Sequence, residues 1–170
     1  MEPGPDTLGA LLRFAHDPGG LPLPLILSSK VLDAAGRLDQ RSQPQHEFRD
    51  HEAALDACGH RVMAIRAAHS GSVLIRADVV ARFGLPGRGV PAEWGLFTWT
   101  ARILRASSSP GYLVPGSLAR RAGAPAPRPA QYRSRLRMLA GRTWSPDEWR
   151  REAYVLAVDV MGAPQRARRA

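Results

Sequence analysis

The stretch Val90–Arg121, VPAEWGLFTWTARILRASSSPGYLVPGSLARR, carries the clearest fold signal in the chain. Phe97, Ala101 and Leu104 recur at the spacing of one helix face, which predicts a helix from Phe97 to Leu104. A Pro-Gly turn then precedes an extended segment that starts at Tyr112. A helix followed directly by a strand is typical of α/β proteins, so this stretch favours that fold class.

The alternation continues upstream. Strands are predicted over residues 23–32, 61–67 and 73–76, and helices over residues 6–16 and 78–83. Turns are predicted at residues 2–5 and 33–37, and residues 37–60 are predicted to form a solvated loop. A capping box at Ser145–Glu148 predicts a further helix to about Val160. Together these elements predict an α/β domain with a helical C-terminal region.

Bulk composition excludes several protein classes. The chain has 170 residues, of which 44% are hydrophobic, and this is enough to bury the core of one domain. The sequence contains one cysteine, Cys58, which excludes an internal disulfide and a cysteine-built zinc site. No apolar run is long enough to span a membrane, and no secretory signal is evident at the N-terminus. These features predict a cytoplasmic protein.

The positive charge is concentrated in the C-terminal third. The net charge is +9, and no acidic residue lies between Ala106 and Pro146. The predicted organisation is an α/β domain over residues 1–121, a Pro/Ala-rich linker over 122–130 and a basic helical tail over 131–170. The helix at Tyr132–Ala140 suits an anionic membrane surface, which indicates peripheral membrane attachment. Nucleic acid is an alternative partner, and an Arg-rich solvated face is the structural alternative.

A metal site is not indicated by the histidines. His46, Glu47, Asp50 and His51 lie together in the polar loop, but their spacing matches no known ligand set. We therefore interpret these residues as part of a solvated loop.

Several short motifs, in their order along the chain, resemble a known family. They are EPGPDTLGALL from Glu2, SGSVLIRADVVARFGLP from Ser70, FTWTARILR from Phe97, GYLVPGS from Gly111 and YRSRLRML from Tyr132. This order is similar to the second half of family 2 glycosyltransferases, in particular the galactofuranosyl- and rhamnosyltransferase-like branch. The resemblance covers roughly residues 2–156. It implies a partial GT-A-type sandwich, in which a mixed sheet is flanked by helices.

The resemblance also implies a chemistry. Such enzymes bind a nucleotide sugar on Mn²⁺ or Mg²⁺ held by an Asp-x-Asp motif, because the diphosphate leaving group needs its charge neutralised. A carboxylate of an Asp-Asp-x-Glu cluster deprotonates the hydroxyl of a glycan or lipid-linked acceptor. A histidine after the Val-Pro-x-Ser strand helps to hold the metal. In this chain the Asp-x-Asp motif would lie immediately ahead of Glu2.

The chain departs from the family pattern at its catalytic positions. Gly95 and Leu96 occupy the two Asp positions, Thr98 occupies the Glu position, and Ala119 or Arg120 occupies the His position. Glu93 is the nearby carboxylate that would have to act as the base. The resemblance therefore predicts an acceptor-side half that is inactive or incomplete as this chain.

Other residues have predicted binding roles. Trp94, Trp99 and Arg102 are predicted to bind the acceptor, with core packing as the alternative for the tryptophans and a surface role for the arginine. Arg120 and Arg121 are predicted to bind phosphate or another anion. Three explanations remain for the missing motifs: a truncated gene product, a partner chain that supplies the missing N-terminal half, or a relative that no longer catalyses. The exposed strand edges that the missing strands would leave also indicate a homo-oligomer. A basic binding module is the alternative function.

Overall fold

The computed structural model describes residues 2–39, 45–46, 61–68, 72–86 and 92–121, together with the single residues 146, 149, 150 and 153. For residues 45–46 and 92–94 it describes the backbone alone. The chain divides into two units, Met1–Ala124 and Pro125–Ala170, and almost all of the described residues belong to the first.

Six strands and three helices form the described part of the first unit. In chain order they are β1 (Glu2–Pro3), α1 (Thr7–His16), β2 (Ile26–Leu32), β3 (Gln45–His46), β4 (Met63–Ala67), β5 (Val73–Ile75), α2 (Ala77–Phe83), α3 (Ala92–Ala106) and β6 (Gly111–Arg120).

The strands form one mixed sheet in the order β3-β4-β6-β2-β5. The central strands β2 and β6 run parallel, whereas β4 pairs antiparallel with the first half of β6 and β5 pairs antiparallel with the first half of β2. β1 pairs antiparallel with the last residues of β6, on the same side as β4. This architecture confirms the predicted α/β class with a mixed sheet.

One face of the sheet is covered by α1. Leu11 of α1 packs on Leu27 of β2 and on Tyr112 and Val114 of β6. The ring of Phe14 meets Tyr112 edge-on, with 5.7 Å between the ring centroids. Side chains alternate between the faces of a strand, so Ser29 and Val31 of β2 share this face with Leu27.

The opposite face is covered by α2 and α3. Its buried cluster contains Ile26, Met63, Ile65 and Leu113 from the sheet, with Val79 from α2 and Trp99 and Ile103 from α3. Because of the alternation, Ser28, Lys30 and Leu32 of β2 also point to this face. We call it the α3 face.

A bulge in β6 is held by a buried hydroxyl network. Ser29 is in register with Val114 but Lys30 is in register with Leu118, so three residues of β6 loop out. The Ser29 and Ser117 hydroxyls lie 2.7 Å apart, and the Ser117 hydroxyl donates to the Thr7 carbonyl over 2.9 Å. The Thr7 hydroxyl in turn lies within hydrogen-bond reach of the Gly4 and Leu118 carbonyls. These contacts fix the start of α1 against the bulge.

Most predicted elements are present with shifted ends. The predicted helix from Phe97 starts at Ala92, and the extended segment from Tyr112 continues to Arg120. The predicted turn at Glu2 is strand β1, and the predicted loop contains strand β3. The predicted linker at residues 122–130 lies outside the described residues, as does nearly all of the predicted basic tail.

Candidate functional site

The carboxyl ends of β2 and β6 meet at one edge of the sheet. These two strands are the parallel pair, and ligands of open α/β sheets bind at the carboxyl ends of parallel strands. β1 joins this edge, because Glu2 is in register with Arg120 and Pro3 with Ala119. The edge therefore gathers residues from the beginning, the first third and the last part of the first unit.

Two cations share the α3 face at this edge. Lys30 is in register with Leu118, and Arg120 is in register with Leu32, so the two cationic residues are diagonal neighbours on adjacent strands. Long side chains at diagonal positions, about 7–8 Å apart, can reach one another. Lys30 is half-buried and Arg120 is exposed.

The carboxylate of Asp33 is hydrogen-bonded within the turn that follows β2. Asp33 accepts hydrogen bonds from the backbone amides of Ala35 and Arg37, each at 2.9 Å, and from the Arg37 guanidinium at 3.0 Å. The amide of Arg37, followed by its guanidinium, holds the pKa of Asp33 below its ordinary value. Gly36 completes this turn with a φ of 79°, in the left-handed region that glycine favours.

A largely buried ion pair closes the same edge. The Arg121 guanidinium lies 2.8 Å from a carboxylate oxygen of Asp39, and these side chains are 16% and 11% exposed. The backbone amides of both residues also bond to β2, since Arg121 donates to Leu32 and Asp39 donates to Val31. Arg121 is thus engaged by a carboxylate of this chain, and its predicted binding of an external anion stays a prediction.

Arg120 extends toward the turn after β2. A Cβ built on Gly36 would lie 4.0 Å from a terminal guanidinium nitrogen of Arg120. Glu2 stands directly opposite Arg120, on β1, and shares its face; β1 is the neighbour of β6 on the side away from β2. In the described part of the chain, no side-chain hydrogen bond or ion pair joins Arg120 to another residue, and the same holds for the side chain of Lys30.

Thr100 anchors helix α3 behind the sheet. Its hydroxyl accepts a hydrogen bond from the Ala68 amide at 3.0 Å, and the helix carbonyls of Leu96 and Phe97 lie 2.9 and 3.0 Å from it as acceptors. The side chain is fully buried. Thr100 therefore ties the middle of α3 to the end of β4, and this explains why a polar residue stands in the buried face of the helix.

The predicted acceptor-binding residues lie in different environments. Trp99 is 5% exposed and packs in the core of the α3 face, and its indole nitrogen has no hydrogen-bond partner among the described residues. Arg102 is exposed and donates to the Phe83 carbonyl over 3.4 Å, which links α3 to the C-terminal end of α2. Trp94 and Glu93 lie in the first turn of α3, and their side chains are outside the described set.

The three positions that depart from the family pattern have structural roles. Gly95 is buried, Leu96 packs against the core, and the Thr98 hydroxyl donates to the Gly95 carbonyl over 3.1 Å. No group of three or more potential metal ligands is found among the described residues.

Sequence reasoning missed two residues of this edge. Lys30 is the one lysine of the sequence, and it interrupts a predicted apolar strand. This break in the apolar pattern is visible in the sequence alone. Asp39 gave no comparable signal, because its partner Arg121 is more than eighty residues away. Long-range ion pairs of this kind are visible only once the strands are paired.

Comparison with known proteins identifies no relative: no family model, curated protein or solved structure matches this chain. Within the described residues, no helix is both long enough and apolar enough to cross a membrane.

Proposed function

We propose that this chain is the acceptor-side half of a glycosyltransferase of the GT-A type, acting on a nucleotide-sugar donor and a glycan or lipid-linked acceptor. The order of the short motifs along the sequence motivates this proposal. The α/β fold with a mixed sheet flanked by helices is compatible with it.

One feature of the sheet supports the placement of these motifs. The family resemblance puts the Asp-x-Asp motif directly ahead of Glu2 and the metal-binding histidine at the position of Ala119 or Arg120. In the sheet, Glu2 and Pro3 pair with Arg120 and Ala119. Two positions that would hold the same metal are therefore neighbours, although they are more than a hundred residues apart in sequence.

The residues of this chain would have divided roles. Mn²⁺ or Mg²⁺, held by an Asp-x-Asp segment, would neutralise the diphosphate leaving group. Here Arg120 replaces a metal ligand with a fixed positive charge, which can meet the same phosphate oxygens directly. Trp94 and Arg102 would bind the acceptor, and Glu93 is the carboxylate nearest to the position of the base.

The test uses the chain and a form extended ahead of Glu2 by an Asp-x-Asp segment. We expect no Mn²⁺-dependent sugar release from nucleotide sugars by the chain itself, since Gly95, Leu96 and Thr98 replace the carboxylates. The extended form should bind a nucleotide sugar in the presence of Mn²⁺, as measured by calorimetry. Substituting Arg120→Ala should weaken that binding several-fold, whereas Arg82→Ala, on α2, should not.

Equal affinities of the two variants would overturn the role of Arg120. Absence of Mn²⁺-dependent binding by the extended form would overturn the proposal itself. If sugar release does occur, a Glu93→Gln rate equal to that of the unsubstituted protein removes Glu93 as the base.

A further inference from the structure

We infer that Lys30 and Arg120 form a metal-independent binding site for a phosphate or diphosphate group on the α3 face, at the carboxyl ends of β2 and β6. This inference does not require the chain to transfer a sugar. It rests on the placement of two cations and on the charges that surround them.

Lys30 lies near the end of strand β2, on the face that carries the core residue Ile26 four positions earlier. A half-buried lysine on a central strand loses part of its hydration, and this cost is usually met by a carboxylate or by hydrogen-bond acceptors. The ammonium of Lys30 has neither among the described residues.

Two neighbouring carboxylates are already engaged by other groups. Asp33 is occupied by Arg37 and by the amides of its own turn, and Asp39 is occupied by Arg121. Glu2 is the described carboxylate that remains, and it lies across β6 from Lys30. Among the described residues, no carboxylate is therefore paired with Lys30, and Glu2, which stands opposite Arg120 without an ion pair, is the one negative charge that faces the two cations.

Lys30 and Arg120 are diagonal neighbours on adjacent strands and share one face, and the Arg120 guanidinium extends toward Gly36 in the turn after β2. An arginine supplies a planar fork of donors and a lysine supplies a compact charge, a combination that suits the tetrahedral oxygens of phosphate. Arg120 is exposed at this edge of the parallel pair, and ligands of open α/β sheets bind at such an edge.

The site is tested by calorimetry at low ionic strength without divalent metal. The probes are inorganic pyrophosphate, as a soluble diphosphate, and farnesyl diphosphate, as a lipid-linked one. We expect the protein to bind at least one probe, and Lys30→Met, which keeps the aliphatic stem, to weaken that binding by about tenfold or more. Arg120→Met should weaken binding by a similar factor. Lys30→Arg should keep it, because the charge remains.

The matched control is Arg13→Met. Arg13 is an exposed arginine of α1, the helix on the opposite face of the sheet, and it pairs with Asp6. The Arg13→Met variant loses the same net charge as Lys30→Met. Its affinity for the probe should equal that of the unsubstituted protein. Circular dichroism confirms that each variant is folded before binding is measured.

The outcomes are distinct. Lys30-dependent binding of pyrophosphate supports a site for soluble diphosphates, and Lys30-dependent binding of farnesyl diphosphate alone supports a lipid-linked ligand. Failure to bind either probe, or equal weakening by Lys30→Met and Arg13→Met, overturns the inference. Neither result depends on the Mn²⁺-dependent binding that tests the proposed function, so the two proposals fail separately.

Discussion

At the scale of single residues, buried hydroxyls hold the helices of this protein in position against the sheet. Thr100 joins α3 to β4, and Ser29, Ser117 and Thr7 join β2, the β6 bulge and the start of α1. A buried hydroxyl is stabilising only when it is hydrogen-bonded, because desolvation otherwise outweighs the gain. Each of these hydroxyls meets that condition, so the elements that carry the edge of the sheet have fixed relative positions.

The contribution of Thr100 is measurable. We expect Thr100→Val to reduce the free energy of unfolding by about 1–3 kcal/mol, because the substitution keeps the shape and leaves the Ala68 amide without its acceptor. Thr98→Val, on the same helix, is the matched control, since the Thr98 hydroxyl donates to the Gly95 carbonyl within its own turn. Urea denaturation gives both values, and equal losses would contradict the anchoring role of Thr100.

Tyr112 should have an unusual titration. Its side chain is 6% exposed against α1, and burial raises the pKa of its phenol above the ordinary 10.0. Because the folded state favours the neutral phenol, this contribution to stability is present below pH 10 and is lost as the pH rises above it. The difference in ultraviolet absorbance between the protein and Tyr112→Phe isolates this group. A midpoint at or below 10.0 in the folded protein would contradict its burial.

At the scale of elements, the end of β6 is held by two kinds of contact. Its parallel ladder with β2 is extended by the bond from the Arg121 amide to the Leu32 carbonyl, and the side chain of Arg121, the residue after β6, forms the ion pair with Asp39. Removing one partner of a buried ion pair is costly, because the other charge is left in a poorly hydrated place. The pair therefore fixes the edge at which the candidate site lies.

We expect Asp39→Ala to lower the free energy of unfolding by about 3 kcal/mol. Asp6→Ala, which breaks the exposed pair with Arg13, should cost at most about 1 kcal/mol. Both values come from denaturant unfolding, and hydrogen exchange of the Arg121 amide should accelerate in the first variant alone. If the two variants lose the same stability, the Asp39–Arg121 pair is not the element that holds this edge.

Local elements of the fold were predictable from sequence, and the pairing between distant strands was not. Helices α1, α2 and α3 and strands β2, β4, β5 and β6 follow from periodicity and turn residues. The two-residue strands β1 and β3 carry no periodicity, and they exist as strands only because they pair with β6 and β4. A short segment of that kind reads as a turn or loop in the sequence.

In helix α1, the apolar pattern of the sequence does not identify the buried face. Leu8, Leu11, Leu12 and Ala15 recur at helical spacing, yet only Leu11 of the three leucines is buried. Leu8 and Leu12 are 59% and 50% exposed. The inward face is set by Thr7, Ala10 and Leu11, and Thr7 faces inward because its hydroxyl meets Leu118 of β6. That contact is a long-range one, which the sequence pattern does not contain.

At the scale of the whole molecule, the sheet brings three distant parts of the sequence to one edge. Glu2, Lys30 and Arg120 belong to three strands that meet at the carboxyl ends of the parallel pair. The candidate site is accordingly half predictable: Arg120 stands out in the sequence as part of an arginine pair, whereas the proximity of Lys30 to Arg120 depends on the pairing of β2 with β6. The predicted roles of Glu93 and Trp94 stay predictions.

We propose that this chain carries the acceptor side of a sugar-transfer site, and acceptor binding is the most direct test of that proposal. Calorimetric titration with a panel of short alkyl glycosides, without nucleotide sugar or metal, measures that property alone. We predict binding of at least one glycoside, a loss of about tenfold or more in affinity for Trp94→Ala, and no change for Trp149→Ala, a half-exposed tryptophan of the second unit. Failure to bind any glycoside, or equal affinities for the two variants, would contradict the claim.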